Sequence, residues 1–120
     1  FHWYVSGRSF YTLHGVFENY YNYTTETLDE AAERLLAIGG RPVSTLKGAL
    51  ELATIKEATE KETTSEMVAE VFHDFELLIN DLSKLMESSE AEGDEGTSDF
   101  ALGVKKQLEK NVWMLKAYLA

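Results

Sequence analysis

Cysteine is absent from this sequence, and proline occurs only once, at Pro42. Without thiols the protein can form neither a disulfide framework nor a thiolate metal site, and this composition fits a reducing compartment. A single proline leaves long helices uninterrupted. No run approaches the roughly 20 apolar residues of a membrane span, and no signal-peptide pattern is present. We therefore expect a helical, cytoplasmic protein without a membrane partner.

Basic side chains are also scarce, because 11 Lys and Arg residues stand against 21 Asp and Glu residues, which gives a net charge of −10. So acidic a body disfavours a nucleic-acid-binding face and favours the attraction of cations. The sequence also starts inside an apolar pattern, with Phe1, Trp3 and Val5. We expect a further segment before Phe1, and a basic tail there would restore affinity for DNA.

The first half of the chain predicts one helix end and one long helix. Residues 1–5 have the pattern of the last turns of a helix that Gly7 closes. Ser9 is the N-cap candidate of a helix that runs to Ile38 and stops at the glycine pair 39–40. At 1.5 Å per residue, this helix of about 30 residues would be roughly 45 Å long.

The second half predicts a crossover and two further long helices. The connection carries a short amphipathic helix around Thr45 to Leu52, and Thr64 or Ser65 can cap the next helix. The segment ESSEAEGDEGTSD breaks that helix, and a final helix runs from about Ser98 to Leu119. A connection this long allows the second and third helices of a bundle to lie parallel. The fold class is therefore all-α, in a single domain that covers residues 1–120.

Two of the three histidines flank residues 7–9 at equal distances from the centre of that segment, Arg8. If residues 7–9 form an antiparallel turn, His2 and His14 face each other at one height on neighbouring helices. Glu18 follows His14 by four residues and therefore lies one turn further along the same face. This spacing predicts a cluster of imidazole and carboxylate groups.

The same helix carries a second acidic pair, Asp29 and Glu33, in LDEAAERLL. His14 and Asp29 are separated by about 22 Å along the helix axis, so one metal site cannot contain both. If two copies of the helix pack antiparallel about a two-fold axis near Tyr23 and Thr24, His14 of one copy meets Asp29 of the other. The spacing predicts a dimer with two equivalent sites, whose mixed N and O ligands suit iron or a similar first-row ion.

Each of these residues also has a structural interpretation. A carboxylate pair at i and i+4 is commonly a solvated face, and Arg34 could neutralise part of this one. A single histidine is commonly structural, and we interpret His73 as structural or surface. The tyrosines near the proposed axis favour interface packing over redox relays; they are Tyr20, Tyr21 and Tyr23.

The stretch FHWYVSGRSFYTLHGVFE, followed by LDEAAERLLAIGGRP, resembles the Dps miniferritins, the DNA-binding proteins from starved cells. EGDEGTSD and LEKNVWMLKAYL also match that family, so the resemblance covers essentially the whole chain. It implies a ferritin-like four-helix bundle with a short helix in the long crossover between the second and third helices. It also implies two-fold dimers assembled into a hollow dodecamer, and a first helix truncated at the start of this sequence.

The resemblance implies a ferroxidase centre at the dimer interface. His2 and His14 would come from one subunit, and Asp29 and Glu33 from its mate. Glu18 lies where some members have an Asp ligand, and its longer side chain could alter occupancy of the second iron position. Two Fe²⁺ ions per centre would be oxidised to Fe³⁺ by H₂O₂ or O₂, and zinc would compete for the ligands.

Two further roles follow from the resemblance. Trp3, beside His2, would donate electrons that quench stray oxidising equivalents, although packing at the dimer interface explains it equally well. Asp94 and Asp99 match acidic positions of the pores through which iron enters, although most charge runs are solvated loops. Their field would be strengthened by two more carboxylates, those of Glu92 and Glu95.

Three alternative functions are consistent with the sequence. The first is an iron-storage ferroxidase that oxidises Fe²⁺, preferably with H₂O₂, stores ferric mineral inside a cage and protects DNA from oxidative damage. The second is a DNA-compacting cage protein with little iron chemistry, which the charge of −10 disfavours. The third is a helical oligomer whose His and carboxylate cluster binds zinc or nothing. The first accounts for most of the motifs, and nucleoid association would accompany the second.

Overall fold

The computed structural model describes residues 1–120 as four helices without strands. They are α1 (Phe10–Ala37), α2 (Leu46–Leu52), α3 (Thr64–Ala91) and α4 (Glu95–Leu119). The chain divides into two compact units, residues 1–62 and 63–120. The predicted all-α class and the order of long and short helices are confirmed. None of the helices is both long and apolar enough to cross a membrane.

The chain begins with a single helical turn, where the sequence predicted the last turns of a helix. The N–H of Val5 donates to the carbonyl of Phe1 at 2.9 Å. Gly7 then takes a φ of 87°, a left-handed conformation that a residue with a Cβ rarely adopts. The reversal sends the chain directly into α1.

The ends of α1 agree with the prediction. Ser9 occupies the N-cap position, and its carbonyl accepts the N–H of Leu13 at 2.8 Å. At the other end Ile38 is the C-cap, Gly39 has a φ of 89°, and the N–H of Gly40 returns to a carbonyl one and a half turns back. This left-handed glycine closure satisfies carbonyls that the last turn would otherwise leave unpaired.

The short helix α2 begins after Thr45, whose hydroxyl oxygen accepts the N–H of Gly48 at 3.1 Å. The predicted short helix is confirmed. None of its residues is buried, and the side chain of Leu46 is 87% exposed. In a single chain the apolar side of α2 is therefore uncovered.

Helix α3 begins one residue earlier than predicted, because Thr63 and not Thr64 or Ser65 is its N-cap. The Thr63 N–H donates to the Glu66 carboxylate at 2.7 Å, and the Glu66 N–H donates to the Thr63 hydroxyl oxygen at 3.3 Å. This reciprocal capping box satisfies two of the N–H groups that a helix start leaves unpaired. Thr63 has a Glu three residues later, which is Glu66. The two predicted caps, Thr64 and Ser65, have no Glu at that spacing.

Thr59 and Glu62, just before α3, make the same bond between a Thr N–H and the Glu carboxylate three residues later, but no helix begins there. Glu62 accepts the N–H of Thr59 at 2.6 Å, its hydroxyl at 2.7 Å, and the N–H of Lys61 at 3.1 Å. These bonds, chiefly the one from the Thr59 N–H, hold the pKa of the Glu62 carboxyl down at about 2. Glu60, inside the turn, has a φ of 64°.

The acidic segment interrupts the helices less than predicted. Helix α3 continues to Ala91, and α4 begins at Glu95 instead of about Ser98, so the link is only three residues long. Gly93 supplies the reversal with a φ of 69°, and Asp94 is the N-cap of α4. The short link makes α3 and α4 an antiparallel hairpin. Its buried apolar side chains are Met67, Val68, Phe75, Ala101, Leu108 and Leu115.

Candidate metal centre

The turn at the start of the chain brings His2 against His14 in the second turn of α1. Their ring centres are 4.1 Å apart and their planes are inclined by 25°, so the imidazoles are stacked. His2 Nδ1 lies 3.0 Å from the carbonyl oxygen of His14, and His14 Nδ1 lies 2.9 Å from the carbonyl oxygen of His2. The predicted meeting of the two histidines is confirmed, although a turn and not a helix carries His2.

These reciprocal hydrogen bonds determine the tautomer of both rings. A carbonyl oxygen can only accept, so each Nδ1 must carry the proton that it donates. In a neutral imidazole the other nitrogen then has a free lone pair. Metal-binding histidines are commonly oriented by just such a bond from the second nitrogen to a carbonyl. In the neutral rings, the Nε2 atoms are therefore the positions at which a cation could bind.

The stacking also determines how many ions the pair suits. An imidazole lone pair lies in the ring plane, and a metal–nitrogen bond is about 2 Å long. Since the ring centres are 4.1 Å apart and the planes nearly parallel, an ion in the plane of one ring is out of reach of the other lone pair. Each histidine therefore suits its own ion. The ring separation is close to the roughly 3.5–4 Å between the ions of two-metal sites.

The predicted carboxylate ligands lie elsewhere along α1. Glu18 is exposed, one turn beyond His14, and Asp29 and Glu33 are exposed near the other end of the helix. Within one chain no group of three His, Asp or Glu residues comes together in an arrangement that could hold a metal ion. A single chain thus unites the two imidazoles and leaves Asp29 and Glu33 apart from them.

Trp3 projects from the same turn, next to His2, with 86% of its side chain exposed. Together with Phe1 and Tyr4 it lines a cavity of about 560 Å³, whose other side is formed by residues 57–60. Sequence reasoning missed this cavity, because nothing in the sequence links the first turn to the segment before α3. The indole is exposed to solvent.

The two predicted pore residues have different surroundings at the start of α4. Asp94 is half-buried, and its carboxylate accepts the backbone N–H of Thr97 at 3.1 Å. Asp99 is exposed, as are Glu92 and Glu95. Asp94 therefore has a structural role as a helix cap in addition to its charge.

His73 and the tyrosines lie outside the histidine pair. His73 is exposed on α3 and lies 3.5 Å from Glu76 in an i,i+3 pair, as a surface residue would. Partial burial raises the pKa of the neighbouring Asp74 carboxyl, and His73 opposes that rise. Partial burial likewise raises the pKa of the Tyr20 phenol. Tyr21 is exposed on α1.

Comparison with known proteins gives one consistent result. The ferritin-like domain family matches residues 1–120. DNA protection during starvation protein 2 of Bacillus anthracis is 48% identical over 119 residues, which are 99% of this chain and 82% of that protein. The crystal structure of a Dps protein from Bacillus brevis superposes with a TM-score of 0.98 at 44% identity, over 100% of this chain and 80% of that one. Dps from Listeria innocua, in crystals soaked with zinc, superposes with a TM-score of 0.94 at 41% identity, over 98% of this chain and 80% of that one.

Proposed function

This chain belongs to the Dps proteins of the ferritin-like family, and on that premise we propose that it is an iron-storage ferroxidase. It oxidises Fe²⁺ at centres between subunits, preferably with H₂O₂ and otherwise with O₂. The ferric product is stored as mineral inside a hollow dodecamer. DNA is protected because Fe²⁺ and peroxide are removed together.

The observation that supports this proposal most strongly is the pair of reciprocal hydrogen bonds between His2 and His14. Each imidazole donates its Nδ1 proton to the other residue's carbonyl, at 3.0 and 2.9 Å. In the neutral form of each ring, this bond leaves the Nε2 lone pair as the one that a metal ion could use.

A second copy of the chain supplies the remaining ligands. Asp29 and Glu33 lie on the same unbroken 28-residue helix as His14, about 22 Å away along its axis. Two copies of α1 crossing antiparallel bring the carboxylates of each chain to the histidines of the other. Glu18 adds a carboxylate from the histidine side. The exposed leucines of α2 give such a dimer apolar surface to bury.

Two ions in one centre make the oxidation safe. Two Fe²⁺, one H₂O₂ and two protons give two Fe³⁺ and two H₂O, so the O–O bond receives both electrons at once. An isolated Fe²⁺ supplies one electron and releases a hydroxyl radical. Trp3, exposed beside His2, donates an electron to any oxidising equivalent that escapes this pairing.

The zinc-soaked Listeria innocua protein is consistent with a metal site of this type. An N/O ligand set seldom rejects Zn²⁺ on affinity alone, so zinc competes with iron at the centre. Asp94 and Asp99, with Glu92 and Glu95, form an acidic entry that concentrates Fe²⁺ before it reaches the centre.

The remaining features of the protein follow from this function. The two units of the chain are parts of one ferritin-like domain, consistent with a family match that runs from residue 1 to residue 120. We assign the protein to the cytoplasm. A body with a charge of −10 protects DNA through chemistry and not through compaction.

The test is anaerobic loading with Fe²⁺ followed by titration with H₂O₂. Wild type should consume about one H₂O₂ per two Fe²⁺ without hydroxyl radical, as a two-metal centre requires. His14→Ala and Asp29→Ala should assemble normally and lose this stoichiometry, because each removes a ligand from an exposed or half-buried position. Size-exclusion chromatography checks the assembly.

Two matched variants serve as controls. Glu30→Ala removes the carboxylate next to Asp29 in sequence, and His73→Ala removes the histidine outside the pair. Both should oxidise iron like wild type. If all four variants react like free iron, or all four like wild type, the assigned centre is wrong.

A further inference from the structure

A third aromatic ring completes the histidine pair. Phe10 is the first residue of α1, four residues before His14, and therefore lies on the same face one turn earlier. Its ring centre is 4.9 Å from that of His14, with the planes inclined by 28°. His14 is thus stacked on two rings, at 4.1 Å on His2 and at 4.9 Å on Phe10. Two rings at these separations would overlap on one face, so they take opposite faces.

The His14 imidazole is more tightly held than that of His2. Both rings have one hydrogen bond from Nδ1 to a carbonyl. His14 is in addition enclosed between two rings, whereas His2 stacks on His14 alone. His2 and Phe10 both restrict the tilt of the His14 ring, whereas the tilt of the His2 ring is restricted by His14 alone.

Phe10 is itself fixed in place. Its N–H donates to the carbonyl of Gly7 at 3.1 Å, across the left-handed turn that joins the two histidine segments. Its ring meets the Tyr11 ring edge-on, with centres 5.6 Å apart. Phe10 is half-buried, and its ring stacks on that of His14.

We propose that Phe10 is a positioning residue of the metal centre, which holds the His14 imidazole in the plane where Nε2 meets its ion. The proposal rests on the proposed function, since it assumes that His14 binds a metal. It concerns one of the two ions, because the two histidines serve separate ions. Removal of the Phe10 ring should weaken binding of the ion on His14 and spare the ion on His2.

The test uses the assembled, metal-free protein and Co²⁺ as the probe, titrated without oxygen and followed by its visible spectrum. Phe10→Leu keeps apolar bulk and removes the ring. It should weaken one of the two Co²⁺ binding steps by about 2- to 10-fold, the range of an aromatic stacking contact. The intensity of the corresponding bands should also change, because the orientation of a ligand ring alters the geometry of the ion.

Rescue and a matched control separate positioning from general packing. Phe10→Tyr keeps the stacked ring and should restore both the affinity and the spectrum. Tyr11→Leu removes the ring that meets Phe10 edge-on, so it should weaken the same binding step by less than Phe10→Leu does. If Phe10→Leu does not assemble, Phe10→Met, which is closer in length to the ring, takes its place.

The outcomes distinguish this proposal from the function on which it rests. If His14→Ala loses one Co²⁺ step while Phe10→Leu binds both ions like wild type, positioning by Phe10 is wrong and the centre stands. Equal weakening by Tyr11→Leu would also overturn positioning. If His14→Ala binds Co²⁺ like wild type, the centre itself is wrong.

Discussion

Asp94 receives two hydrogen bonds from one residue, Thr97. The Thr97 N–H donates to Oδ1 at 3.1 Å, and the Thr97 hydroxyl donates to Oδ2. The carboxylate that we assign to the iron entry therefore also starts α4. Replacing Asp94 by Asn separates the effect of the negative charge from that of the helix cap, because Asn caps a helix about as well as Asp.

Asp94→Asn combined with Asp99→Asn should slow iron uptake at low Fe²⁺ and leave the chemistry of the centre intact. The pair of substitutions removes two negative charges per chain and keeps the cap. Initial uptake, measured over a range of ionic strength, should lose much of its salt dependence. Asp94→Ala is the contrasting variant, which should also cost about 1 kcal/mol of stability through the lost cap. Unchanged uptake by the double Asn variant would show that iron enters elsewhere.

Mixed assemblies test whether the centre lies between chains. In a dimer that pairs one His14→Ala chain with one Asp29→Ala chain, one site lacks both ligands and the other has both. Random co-assembly of equal amounts should restore about one quarter of the wild-type sites, since half of the dimers are mixed and each has one intact site. Centres within single chains would give no recovery. Peroxide consumption per iron after joint refolding measures the result.

Thr63→Ala should lower the free energy of unfolding by about 1 kcal/mol, because it removes the hydroxyl half of the capping box. Ser65→Ala, two residues later and exposed, should change it by less than about 0.5 kcal/mol. Denaturant titrations with the assembly state checked at each point provide the measurement. The opposite ranking would place the cap at the residue that the sequence alone suggested.

The turn at residues 59–62 should loosen in acid through Glu62. Its pKa is lowered to about 2 from 4.5, so the turn's added stability is complete above pH 4.5 and is lost as the pH falls through about 2. Hydrogen exchange of the peptide 59–62 should be slower in wild type than in Glu62→Gln at pH 6, and the difference should shrink as the pH falls through about 2. Glu57→Gln, which removes none of these bonds, should match wild type throughout. A difference that is independent of pH would contradict this role for the carboxylate.

The sequence predicted the helices well and their starts less well. The glycine pair at 39–40 and the position of Ser9 mark the ends of α1 correctly: Gly39 takes the left-handed conformation, whereas the Ser9 side chain makes no capping hydrogen bond. The starts of α3 and α4 differ from the prediction because several Ser, Thr and Asp residues stand in a row. Which of them caps depends on the partner three residues on, which is Glu66 for Thr63 and Thr97 for Asp94.

The candidate centre was predictable only in part. The equal distances of His2 and His14 from the turn predicted their meeting, which is confirmed. The reciprocal bonds to backbone carbonyls depend on the exact path of the turn through Gly7, and no spacing rule reports that path. Phe10 had a signal, its position four residues before His14, but an aromatic residue at helical spacing is more often part of a core. The roles of Glu18, Asp29 and Glu33 remain predictions.

His2 and His14 are twelve residues apart and each bonds the other's carbonyl, so this half of the centre forms through contacts that are close in sequence. A subunit would present both imidazoles before it meets its mate. Such a nitrogen-only half-site favours Cu²⁺ and Zn²⁺, whereas the carboxylates that arrive with the second chain shift the preference toward harder ions. Assembly would then act as a sorting step, in which the order of folding and pairing decides which metal the proposed centre accepts.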